Sequence, residues 1–95
     1  MISIKITVFA RFKETFGESR IIELSEAGNV SVKDALIKLC SETEGGFDVL
    51  FDSERVLLDS VLLMHNKKRI SGFDAGEILI KNGDSLVLYP PVSGG

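Results

Sequence analysis

Ile2, Ile4, Ile6 and Val8 alternate with Ser3, Lys5, Thr7 and Phe9, the period-2 pattern of a strand with one face on a core. Next, Phe12 and Phe16 stand four apart, as on one face of a short helix that Gly17 closes in a left-handed conformation. Ser19 to Leu24 reads as a second strand, returning antiparallel to the first. Ser31 with Asp34 three residues on has the form of a capping box. From it Val32, Ala35, Leu36, Leu39 and Cys40 follow at helical spacing and make one buried stripe, with Gly45-Gly46 marking the end of the helix. Phe47 to Phe51 is short and apolar, and its periodicity fits a helical turn and an extended segment equally. A loop is expected over Asp52–Arg55, then one strand from Val56 into a polar turn at Asn66, with Lys67–Ile70 returning. Asn82-Gly83-Asp84 is a tight-turn signal before the alternating strand Ser85-Leu86-Val87-Leu88-Tyr89, which Pro90 and Pro91 terminate.

The order strand, strand, helix, then two or three strands predicts an α+β fold of the β-grasp (ubiquitin-like) kind, a mixed sheet of four to five strands with one main helix across it. First and last strands become parallel neighbours joined by a long crossover. Residues 1–89 are expected to form the domain and 90–95 an extended, flexible tail leaving it from the sheet's centre.

Composition narrows the function. The 95 residues suffice for one small core. A net charge of −3 leaves no broad basic footprint for nucleic acid. Residues 1–5 alternate and do not form an apolar run, so no secretory signal is expected. No apolar stretch approaches the length of a membrane span. A cytoplasmic protein is the expectation.

Catalytic equipment is sparse. Cys40 is the single cysteine and His65 the single histidine. Cys40 falls on the apolar stripe as a small buried hydrophobe, and His65, beside a lysine-rich turn, reads as a solvated surface residue. The acids Glu42, Glu44, Asp48, Asp52 and Glu54 lack the spacing of a calcium loop. Gly45-Gly46 lacks the lysine of a phosphate loop, and Lys67-Lys68-Arg69 is too short to argue nucleic acid. No bound cofactor and no metal are expected.

What remains is the ending Tyr89-Pro90-Pro91-Val92-Ser93-Gly94-Gly95. Two prolines favour an extended path, and six further residues give the terminal carboxylate a reach of roughly 20 Å beyond Tyr89. Gly94 and Gly95 lack side chains, so their backbone fits a channel too narrow for other residues. Such a tail can deliver its own carboxylate into another protein's active site.

This ending, together with Asn82-Gly83-Asp84 and Val8-Phe9-Ala10-Arg11-Phe12, resembles the MoaD family, the small subunits of molybdopterin synthase among the ubiquitin-like sulfur carriers. It is similar also to the small archaeal modifier proteins. The resemblance implies adenylation of Gly95 by a MoeB-like, ubiquitin-activating-type enzyme that uses ATP in trans, then conversion to a thiocarboxylate that donates sulfur within a MoaE-like large subunit. By motif position, Gly94 and Gly95 match the reactive tail. Phe9 and Tyr89 match hydrophobic partner contacts, with Pro90, Pro91, Val92 and Ser93 entering the partner's channel. The resemblance implies no catalytic residue besides the terminal carboxylate, which leaves the chain's standing as an enzyme open. Extra residues around Phe47 to Leu58 depart from the compact members. Two alternatives stand beside the sulfur carrier: a protein modifier joined through Gly95 to lysines, and a non-catalytic β-grasp interaction module.

Overall fold

The structure is a computed structural model and describes residues 2–25, 29–58 and 61–90. The first strand, β1 (Ile2–Val8), buries Ile2, Ile4, Ile6 and Val8 on one face, as the alternation predicts. After a 3-10 turn at Ala10–Phe12 and helix α1 (Lys13–Phe16), Gly17 adopts φ +81°, and β2 (Ser19–Leu24) returns antiparallel to β1. Phe12 and Phe16 both enter the core.

Helix α2 (Val32–Ser41) starts on the predicted box. Ser31 Oγ accepts from the Asp34 N–H at 3.1 Å, and Asp34 Oδ2 accepts from the Ser31 N–H at 3.0 Å, so two N–H groups of the helix start are satisfied reciprocally. Val32, Ala35, Leu36, Leu39 and Cys40 are all buried. Gly45 turns left-handed at φ +77° and opens α3 (Gly46–Leu50), which decides the ambiguous 47–51 segment in favour of a helical turn. Phe51 then leaves in extended conformation and bridges Leu57. Asp52 Oδ1 closes the intervening loop by accepting from the Glu54 and Val56 N–H groups at 2.8 and 3.0 Å. A carboxylate used this way is a loop cap.

The expected single strand over Val56–Asn66 is corrected. Leu57 pairs with Phe51, the Leu58 N–H donates to the Leu50 carbonyl, and the sheet strand β3 begins only at Leu62 (Leu62–His65). The physical reason is that Leu50 and Phe51 present free backbone groups at the end of α3 and take up the first part of the run. Asn66 and Lys67, at φ +49° and +72°, make the tight turn into β4 (Lys68–Ile70). The short α4 (Gly72–Ala75) and the turn at Gly83, φ +90°, lead to β5 (Ser85–Tyr89).

Among the described residues the sheet has the order β2-β1-β5-β3-β4. β5 runs parallel to β1, with Ile6 opposite Leu86 and Val8 opposite Leu88, and antiparallel to β3, with Leu63 opposite Leu88. Leu86 and Leu88 are fully buried between these neighbours and the helix layer. This is the predicted α+β grasp, with β5 at its centre.

Gly46 sits where α3 meets α2. A Cβ there would lie 3.0 Å from the Cys40 Cα and 3.1 Å from the Phe16 ring. We expect Gly46→Ala to lower stability by roughly 1–3 kcal/mol through overpacking, read as a lower urea midpoint with unchanged slope.

Candidate functional site

The chemistry proposed for the terminal carboxylate depends on where the chain leaves the body. β5 delivers Tyr89 and then Pro90 at the end of the sheet where β1 finishes and β3 starts. Residues 91–95, and with them Pro91, Val92, Ser93, Gly94 and Gly95, lie outside the described residues.

Val8 pairs with Leu88, both facing the core. The next residues, Phe9 and Tyr89, therefore fall on the opposite, solvent side of the sheet. Phe9 is 47% exposed and Tyr89 half-buried. The Phe9 N–H donates to the Leu88 carbonyl at 3.0 Å, extending the parallel ladder to this point. Ala10 follows at φ +56°, in the left-handed region that a side chain disfavours, and turns the chain away so that the Phe9 ring stays uncovered. Lys13 Nζ stands 6.0 Å from that ring's centre.

The structure thus brings the two expected contact residues onto one face. It adds three the sequence reading missed: Leu62 lies opposite Tyr89, and Met64 opposite Val87, on the same outer face. Each is half-buried. Their alternation with Leu63, Leu86 and Leu88 was visible in the sequence, but only the pairing register shows that they adjoin Tyr89. The result is an apolar stripe leading to the root of the tail.

The other residues considered for chemistry lie elsewhere. Cys40 is buried at 2% exposure, and burial pushes its thiol up to about 12, only partly offset by the positive charge of Arg55. A thiol so held stays protonated and is a poor nucleophile. Among the described residues no group of His, Cys, Asp and Glu is placed to hold a metal ion, and no helix is long and apolar enough to cross a membrane.

The solvated surface histidine expected at position 65 is corrected. The His65 side chain is only 17% exposed, and its Nε2 lies 2.8 Å from Asp84 Oδ2. Asp84 accepts from three further donors. Its Oδ1 accepts from Asn66 Nδ2 at 3.0 Å, its Oδ2 from the Lys81 N–H at 2.8 Å, and its carbonyl from the Lys5 N–H at 3.2 Å. Asn66 Oδ1 in turn accepts from the Ser85 N–H at 2.8 Å. The cluster ties the turn after β3 to the turn before β5. It stands at the far end of β5 from the tail, about five residues or roughly 17 Å along the strand, so it braces the sheet and does not touch the exit.

Comparison with known proteins agrees with this geometry. The sequence matches the ThiS family over residues 6–95. The chain belongs to the ThiS family. This ThiS/MoaD grouping is one of ubiquitin-like sulfur carriers and modifiers. Among solved structures, this ThiS-family chain is similar to small archaeal modifier protein SAMP1 from Haloferax volcanii, with 28% identity, TM-score 0.84, and 98% of this chain and 99% of that one covered. It is similar also to SAMP1 from Methanosarcina acetivorans, with 26% identity, TM-score 0.81, and 100% and 98% coverage. A putative molybdopterin converting factor subunit 1 from Pyrococcus furiosus, with 24% identity, TM-score 0.70, and 97% and 100% coverage, shows the shared fold alone. No curated protein matches the chain.

The polar cluster predicts an acid limb of stability. Burial pushes the Asp84 carboxyl up, but hydrogen bonds from Asn66, His65 and the Lys81 N–H, with the charge of His65, outweigh it and hold the group below its ordinary value. A carboxyl lowered on folding stabilises fully above its unfolded-chain value and loses that contribution as pH falls through the folded one. Asp84→Asn should therefore cost roughly 1–3 kcal/mol near neutral pH and flatten the decline toward acid, as measured by urea unfolding across a pH series.

Proposed function

We propose that this chain is a sulfur carrier of molybdopterin synthesis that acts through the carboxylate of Gly95. The observation that carries the reading is the placement of β5: the central strand of the sheet leads directly into Tyr89 and Pro90, beside an apolar face made by Phe9, Tyr89, Leu62, Val87 and Met64. The folded body then serves as the docking handle, and the reactive atoms lie at the end of a tail whose last residues, Gly94 and Gly95, have no side chains.

The chemistry follows from the leaving group. A carboxylate oxygen is a poor one, so the Gly95 carboxylate attacks the α-phosphorus of ATP and expels pyrophosphate, giving an acyl-adenylate. Hydrosulfide attacks that carbonyl, the C–O bond to AMP breaks, and the thiocarboxylate remains with one oxygen replaced by sulfur. The ATP is held in trans by a MoeB-like activating enzyme, and the sulfur is passed on within a MoaE-like large subunit. Pro90 and Pro91, which cannot pair as strand, keep the approach to the glycines extended, and Val92 and Ser93 complete the insert. The chain itself needs no bound cofactor.

A second reading has its own support in the two SAMP1 similarities, at 28% and 26% identity. In it the same acyl-adenylate is captured by an activating-enzyme thiol and passed to a lysine amine, giving an isopeptide bond at Gly95. The third reading, an interaction module with an inert tail, is tested by the same material.

Incubating the full chain with ATP, an adenylating enzyme of this class and sulfide should raise its intact mass by the difference between sulfur and oxygen. An unchanged mass with an enzyme competent on its own carrier would overturn the sulfur reading. Gly-Gly remnants on lysines after digestion of cellular conjugates would establish the modifier reading. One residue appended after Gly95 should abolish both reactions, and full activity with the extension would favour the inert tail.

The docking face has a separate test. Phe9→Ser with Tyr89→Ser should slow activation about tenfold or more, since aromatic anchors carry much of such contacts, while the urea midpoint stays close to that of the parent. Unfolding of the double variant would place the two rings in the core instead.

A further inference from the structure

A groove of about 730 Å³ opens between the N-terminal part of α2 and the β4 edge of the sheet. Leu57, Leu62 and Ile70 supply apolar lining, Gly72 supplies bare backbone, and Lys33 from the helix and Arg69 from the edge strand contribute the cations. Gly72 leaves no room to spare, since a Cβ there would stand 3.2 Å from Leu57 Cδ2. Within a chain of net charge −3, both cations are notable for lacking an ion pair among the described residues, where the pairs formed are Lys13–Glu18, Lys38–Glu42 and His65–Asp84. Among the described residues, the acids nearest in sequence, Asp34, Asp74 and Glu77, do not line the groove; Asp59, between the lining residues Leu58 and Val61, lies outside the described residues.

The edge itself adds a backbone feature. β4 is the last strand of the sheet. The tight turn at Asn66-Lys67 makes His65 and Lys68 the first hydrogen-bonded pair, so Leu63 and Ile70 form the next such pair. The intervening Arg69 therefore turns its own N–H and C=O outward. Lys68 and Arg69 on that edge disfavour pairing with a second copy through like-charge repulsion, and the same charges attract an acidic strand.

We propose that this groove docks an extended acidic peptide segment of a partner protein, its alternate apolar side chains on the Leu57, Leu62 and Ile70 lining and its carboxylates toward Lys33 and Arg69. In an extended chain successive side chains point to opposite sides, which lets one segment satisfy the apolar lining and the cationic rim together. The groove meets the outer sheet face beside the tail at Leu62, while Leu57, Ile70 and Lys33 line it away from that face, so peptide binding there is read separately from the chemistry assigned to Gly95. Its role is to recruit a partner by a second contact while the tail remains available.

The test uses the full chain and a fluorescein-labelled heptapeptide, Glu-Val-Asp-Ile-Glu-Leu-Asp. Anisotropy should report saturable binding, and amide shifts in the labelled protein should concentrate at Lys33, Arg69, Ile70 and Gly72. Lys33→Glu with Arg69→Glu should weaken binding about tenfold or more, and a peptide with every acid replaced by lysine should not bind. Both substitutions lie at exposed or half-buried rim positions, and an unchanged urea midpoint confirms the fold. Equal affinity for the lysine peptide, shifts confined to Phe9, Val87 and Tyr89, or a preference for vesicles of anionic lipid over the peptide would each overturn the proposal.

Discussion

The parallel pairing of β1 with β5 is the constraint on which the rest of the molecule depends. Each strand buries one face, and only side by side do Ile4, Ile6 and Val8 meet Leu86 and Leu88 as one continuous floor for helix α2. The hairpin β1–β2 alone and the hairpin β3–β4 alone are too small to support a core. Joined through β5, they become a five-stranded sheet whose inner face the stripe of Val32, Ala35, Leu36, Leu39 and Cys40 can cover.

That arrangement separates stability from chemistry. The polar brace of His65, Asn66 and Asp84 fixes one end of β5, and the chain departs from the other end past an apolar stripe. Cys40, the one thiol, is spent on packing, and its burial keeps it protonated and away from solvent.

Much of this was legible in the sequence because the signals were local. The alternation in 2–8, the box from Ser31 to Asp34 and the turn at Asn82-Gly83-Asp84 each contain their own partners within a few residues. What escaped was non-local. The 56–66 run reads as one strand until Leu50 and Phe51 are found to take its first part. His65 reads as solvated because the carboxylate that covers it is 19 positions away. Leu62, Met64 and Val87 carry a strand pattern, but the fact that they flank Tyr89 is a property of register, which a single sequence does not encode locally. The tail is an expectation drawn from its paired prolines and terminal glycines, and only the sheet shows what surrounds its root at Tyr89 and Pro90.

The central position of β5 also bears on how the domain is assembled. Its contacts with β1 span nearly the whole length of the chain, so the loop closed by this pairing is among the longest the sequence allows, and folding dominated by such contacts is slow. The two hairpins and the helix can form from neighbouring residues, yet they stay unjoined until the last strand inserts between them. A nascent chain still lacking that strand would expose both open edges at once. Insertion of β5 is thus the event that turns two separate hairpins into one domain.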